Sequence, residues 1–94
     1  MLQRRQTAET SGSDAQALAL SALVWVLEDE RRAERLLTLS GLTPDQLRDG
    51  LTDPAVLSAV LDFLAAHEPD LIAAAEALAV PPERIVAAQR SLSV

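Results

Sequence analysis

Residues 13–27 read SDAQALALSALVWVL, from Ser13 to Leu27, and this stretch decides the fold. Ser13 and Gln16 stand at capping-box spacing, in which each side chain satisfies the other's backbone N–H. A helix is therefore predicted from about Asp14 to Leu27. Along it only Asp14, Gln16 and Ser21 are polar. A helix that is apolar on nearly every side is buried on nearly every side, so this one is expected at the centre of the domain. It falls short of the ~20 residues that a membrane span needs.

Upstream lies a polar leader. Arg4 and Arg5 precede the apolar run, but the polar, acidic residues 7–14 separate them from it. The run ends in Glu28-Asp29-Glu30-Arg31-Arg32 rather than in a small-residue cleavage site, which argues against an export signal. Residues 1–12 are expected to be a flexible polar tail, and 13–94 a single helical domain.

Downstream, caps and prolines punctuate the chain. Asp29 can cap a helix from Glu30 to about Ser40, with Ala33, Leu36, Leu37 and Leu39 inward and Arg31, Arg32, Glu34 and Arg35 outward. Gly41 is its expected stop. The five prolines each suit a helix start, where a missing N–H costs nothing. Thr43-Pro44-Asp45-Gln46 opens a short helix ending near Gly50. Asp53-Pro54 opens one with Leu57, Val60, Leu61 and Leu64 on one face. Glu68-Pro69 opens one with Leu71, Ile72, Ala75, Leu78 and Ala79 inward. Pro81-Pro82-Glu83 opens the last, with Ile85, Val86, Ala88 and Leu92 inward. The spacings are three and four throughout, and no stretch alternates like a strand.

Composition agrees with an all-α fold. The 94 residues are 49% hydrophobic, carried by Ala and Leu, with one Phe, one Trp and no Tyr. A chain of this length buries only about 60–65% of its unfolded surface, so its core is thin. The expected architecture is a compact all-α bundle of five or six short helices around a central, apolar first helix.

Chemistry is constrained by what is missing. There is no Cys, and His67 is the only His, so a Cys/His metal site and thiolate chemistry are excluded and no cofactor is expected. His67 falls at a helix end, where a cation suits the dipole, and reads as a surface residue. Gly12, Gly41 and Gly50 are isolated and form no phosphate loop. Asp62, inside the apolar run Val60-Leu61-Asp62-Phe63-Leu64, is expected to pair with Arg48 of the preceding short helix. The net charge is −6, which repels nucleic-acid backbones and anionic lipid. Residues 71–92 nevertheless resemble a helix-turn-helix: Ala75, Leu78, Val80 and Ile85 take its small and apolar positions, and Ala79 stands where that turn carries Gly. Arg84, Gln89 and Arg90 would then read DNA, although Glu83 makes the base-facing end acidic.

A thin core does not cover large apolar surfaces well. Leu20, Val24, Val56 and Phe63 lie off the main stripes: either the six packed helices bury them all, or some form an exposed apolar patch of the kind that marks a partner or dimer contact. Trp25 reads first as a core anchor.

The chain resembles a family of small helical bacterial proteins, domain of unknown function 3572 (DUF3572), seen in alpha-class proteobacteria. The resemblance spans about residues 15–92. It rests on the Ala/Leu-rich first helix with Trp25, Leu39-Ser40-Gly41-Leu42 followed by Pro44, Leu47 and Arg48, then Val60-Leu61-Asp62-Phe63-Leu64, Glu68 with Leu71, and Pro82-Glu83 with Ala87. Where relatives place a proline after the Asp at position 29, this chain has Glu30. The resemblance implies a helical fold and no activity; Arg48, Asp62 and Glu68 are the polar residues of its pattern. The reading that follows is a non-enzymatic cytoplasmic protein, acting through a protein partner or as a homodimer. The alternative is a helix-turn-helix DNA binder using residues 71–92.

Overall fold

Caps and prolines cut the chain where the sequence places them. A computed structural model describes residues 10–93, and side chains over 14–92. The helices are α1 (Thr10–Leu27), α2 (Glu30–Ser40), α3 (Pro44–Asp49), α4 (Pro54–Ala65), α5 (Glu68–Leu78) and α6 (Pro82–Ser93), with no strand among the described residues. The chain is an all-α bundle.

Local chemistry accounts for most boundaries. Asp29, in an extended conformation, accepts from the amides of Arg31 and Arg32 and so separates α2 from α1. Gly41 closes α2 at φ 77°, the left-handed conformation that glycine adopts without strain. Thr43 and Gln46 form the reciprocal capping box expected of them. Asp53 accepts from Ala55 N–H ahead of Pro54. At the N-terminus the structure differs from expectation. α1 begins at Thr10, so Ser13 lies inside the helix instead of capping it. Once packing has nucleated a helix, each added residue gains a hydrogen bond at little further cost. Residues 1–9 of the expected tail lie outside the described residues.

α1 packs against α2, α4, α5 and α6, the central place its composition predicts. α4 and α6 complete the core by packing on α1 and on each other. Ala15, Ala19, Ala22, Leu23 and Val26 of α1 meet Leu57, Val60, Leu61, Phe63 and Leu64 of α4 and Ile85 and Ala88 of α6, with Leu36 and Leu47 closing the side. Burying one such Leu, Ile or Phe side chain contributes about 1.5–3 kcal/mol. The four predicted core positions of α4 are all buried, and Phe63 joins them; Val56 is half-buried.

Three faces are not as the sequence suggested. α1 is not covered all round: Leu20 and Val24, which stand off the main stripes, are exposed, and so is Leu27, which the sequence did not single out. On α2, Leu39 is exposed, while Arg32 and Arg35 turn back onto the fold. The Arg32 guanidinium lies 3.7 Å from the centroid of the Trp25 ring and donates to the Trp25 carbonyl at the end of α1. Trp25 is thus half-buried, packed against the core cluster with the Arg32 guanidinium over its ring. On α5, Ile72 and Ala79 are exposed, and Asp70 and Ala74 are buried in their place. Adjacent apolar residues at 71 and 72 leave the inward face ambiguous by the ~100° that separates neighbours on a helix.

Candidate docking surface

Leu20, Val24 and Leu27 follow one another at four- and three-residue spacing, so they stand on a single face of α1. Their exposures are 36%, 53% and 47%, high for large apolar residues in so small a bundle. Ala17 and Ser21 flank them and are exposed too. No charged residue occurs between Asp14 and Glu28, so this face carries no charge over nearly four turns.

At its C-terminal end the face opens into a groove of about 340 Å³ lined by Leu27, Leu37, Pro44, Leu47, Arg48 and Leu51. The groove exists because of three local devices. The α2 stop at Gly41 turns the chain back, and the Thr43 box with Pro44 fixes the start of α3. Gly50 then lets α3 end against Val56: a Cβ there would lie 2.5 Å from Val56 Cγ2 and 2.8 Å from the Gln46 carbonyl. Leu47 anchors α3 in the core, while Leu51 remains 41% exposed. Arg48 stands on the groove wall, held by Asp45 of its own helix at 3.2 Å.

A second cleft lies between the end of α2 and α4, lined by Leu39, Ser40, Asp62, Phe63 and His67 among others. Its polar groups are tied into the fold. Gln89 Nε2 donates to Asp62 Oδ1 at 2.6 Å. His67 occupies the cap position of α5, and its Nδ1 lies 3.0 Å from Asp70 Oδ2; the carboxylate only accepts, so Nδ1 carries the proton. Arg35 Nη2 donates to both Asp70 oxygens, at 2.8 and 2.7 Å. Asp70 is 7% exposed, and a carboxylate so buried requires such partners. Asp29, by contrast, is only half-buried, and the amides of Arg32 and then Arg31 hold its carboxyl below the ordinary carboxylate range.

The candidate residues from the sequence fall apart in space. Arg48 pairs with Asp45 and not with Asp62, because Asp62 faces α6 and takes Gln89. Glu68 is exposed at the first position of α5 and lies on neither the groove nor the cleft. Of the trio proposed to read DNA, Arg84 is bound to Asp14 at 2.6 Å, Gln89 is bound to Asp62, and Arg90 is exposed. Sequence reasoning passed over Asp70 and turned Arg35 outward, away from it. An Asp in a first helical turn reads as dipole compensation, and nothing local signals a cation 35 residues away.

A model of the family described as protein of unknown function DUF3572 matches residues 12–94. The chain belongs to that family. The match takes in every helix from α1 onward, including the groove and the open face of α1. No curated protein and no solved structure matches this DUF3572 chain. No helix among its described residues is long and apolar enough to cross a membrane. Among those residues, no group of three or more His, Asp or Glu side chains is placed to hold a metal ion.

Proposed function

We propose that the chain is a non-enzymatic, cytoplasmic protein-interaction module of a bacterial cell, and that the open face of α1 with the α1–α2–α3 groove is its docking surface. One observation carries the reading: Leu20, Val24, Leu27 and Leu51 are all exposed and run without a break into an apolar groove. Contiguous apolar surface of this kind costs free energy in water and is recovered when a partner covers it. Arg48 on the wall supplies a polar fixing point of the sort interfaces place at their rim. The polar groups that meet elsewhere serve the fold. His67, Asp70 and Arg35 join α2 to α5, and Gln89 and Asp62 join α6 to α4, which leaves a catalytic reading little to work with.

The helix-turn-helix alternative has one observation in its favour. Ala79 adopts φ 59°, ψ 41°, the left-handed turn that such a motif requires. Against it, Arg84 and Gln89 are engaged by Asp14 and Asp62, and α6 packs against both α1 and α4. The two readings respond oppositely to salt. A tagged full-length chain used as bait in lysate at low and moderate salt is expected to retain a stoichiometric protein, a second copy included. A Leu51→Glu variant is expected to lose it. Retention of nothing, or only of DNA that added salt removes, would overturn the docking reading.

A further inference from the structure

We infer that α3 and the loops beside it, residues 42–52, form a lid that opens as one unit while the other five helices stay folded, with Leu47 as its latch. The inference concerns the fold itself and stands whether or not a partner docks on the groove.

α3 is the least attached of the six helices. The substantial helix-to-helix contacts join α1, α2, α4, α5 and α6, and none involves α3. Its 6 residues bury one side chain, Leu47, which is 4% exposed. Packing beneath it is incomplete. The groove of about 340 Å³ is lined by Pro44, Leu47, Arg48 and Leu51 of the lid and by Leu27 and Leu37 of α1 and α2.

Polar bonds do not tie the lid down either. Thr43 and Gln46 cap each other, and Arg48 pairs with Asp45. The Gly50 amide turns back on Leu47, and the Asp53 amide on Gly50. α3 therefore carries its hydrogen bonds with it when it moves, and what holds it besides Leu47 is apolar contact: Leu42 packs partly on the core, and Gly50 sits against Val56. An element with few buried contacts opens at far lower cost than one that fills the core, as α1, α4 and α6 do.

Both ends of the lid can turn. Gly41 holds φ 77°, and nothing lies within 4 Å of where its Cβ would be, so its dihedral angles can change without collision. At the other end Leu51, Thr52 and Asp53 are exposed. Short flanking segments of this kind absorb the backbone change of a hinge. Lifting the lid withdraws Leu47 and leaves Leu27 and Leu37 as the floor of a wider apolar cleft.

Native-state hydrogen exchange of the full chain tests the lid. The amides of Gln46, Leu47 and Gly50 bond within it. They are expected to share one opening equilibrium, about 100-fold or more easily reached than that of the buried helices, and to depend only weakly on urea because little surface is exposed. Ile85→Val, which removes a buried methyl from α6, should speed the amides of α1, α4 and α6 by roughly two- to tenfold and leave the lid amides unchanged. Leu47→Ala should bring the lid amides close to the free-chain rate while circular dichroism shows the bundle intact. Lid amides that share the urea slope of the core and accelerate with Ile85→Val open only by global unfolding and overturn the lid. Three unrelated opening equilibria would be fraying, and free-chain rates in the parent would mean no closed state; either overturns it too. Lid rates unchanged by Leu47→Ala overturn Leu47 as the latch. The Ile85→Val comparison decides the lid whatever Leu47→Ala does to folding.

Discussion

Arg35 of α2 and Asp70 of α5, 35 residues apart in sequence, meet at 2.7 Å and form the long-range ion pair on which a buried carboxylate depends. Removing the guanidinium leaves Asp70 with His67 as its side-chain partner. Arg35→Ala is expected to cost about 1–3 kcal/mol by denaturant unfolding, the lower end applying because Arg35 itself is partly exposed. In a cycle with Asp70→Asn, the double variant should lose less than the sum of the singles. Strict additivity would show that the pair contributes nothing as a pair.

Asp29 yields a pH prediction. Its folded carboxyl titrates below the ordinary value because the Arg32 and Arg31 amides bond to the charged form. A depressed carboxylate stabilises the fold fully above the unfolded value, near about 3.9, and that contribution disappears as pH falls through the folded value. The difference in thermal midpoint between the parent and Asp29→Asn should therefore be constant near neutrality and shrink below about pH 4. A difference that grows on acidification would contradict the assignment.

Ala79 ends α5 with a left-handed backbone, the one non-glycine residue with positive φ among those described. Such a conformation costs an L-residue roughly 1–2 kcal/mol, partly offset by the greater freedom glycine has when unfolded. Ala79→Gly is expected to raise the thermal midpoint by several degrees, and Ala79→Val to lower it. A destabilised Gly variant would mean that the Ala79 methyl does packing work that outweighs the strain.

Gly50 makes the opposite prediction. An added Cβ would meet Val56 and the Gln46 carbonyl together, and the carbonyl belongs to the α3 backbone. Gly50→Ala should cost about 1–3 kcal/mol through overpacking. Because Leu47 and Leu51 flank it, the same change should also weaken association through the groove more than a surface change of equal stability cost. A Val56→Ala substitution in the same chain should relieve part of the loss, since it removes the 2.5 Å contact with Cγ2 and leaves those with the residue-56 Cβ and the Gln46 carbonyl.

Much of this was legible in the order of residues. Asp29, Thr43, Asp53 and Gly41 each act on amides or carbonyls within a few positions of themselves, and Pro44, Pro54, Pro69 and Pro82 act on the turn they occupy. Such local chemistry works the same way whatever surrounds it. The three-four spacing of Leu57, Val60, Leu61 and Leu64 likewise identifies a buried face, because the other side of α4 is less apolar. The open face of α1 was only half legible: Leu20 and Val24 stood off the main stripes, but Leu27 did not stand out, and neither did Leu51 in the loop after α3.

The sequence by itself determined the all-α class, the positions of the helix breaks from α2 onward, and the uncharged length of α1. Only the tertiary structure decided which side of α1 remains open, that Asp62 takes Gln89 rather than Arg48, and that Asp70 is buried on Arg35 and His67. The physical reason is the same in each case. Helical period fixes which residues share a face, but which face a neighbour covers depends on how α4, α5 and α6 pack around α1, a choice made by contacts between residues far apart in the chain.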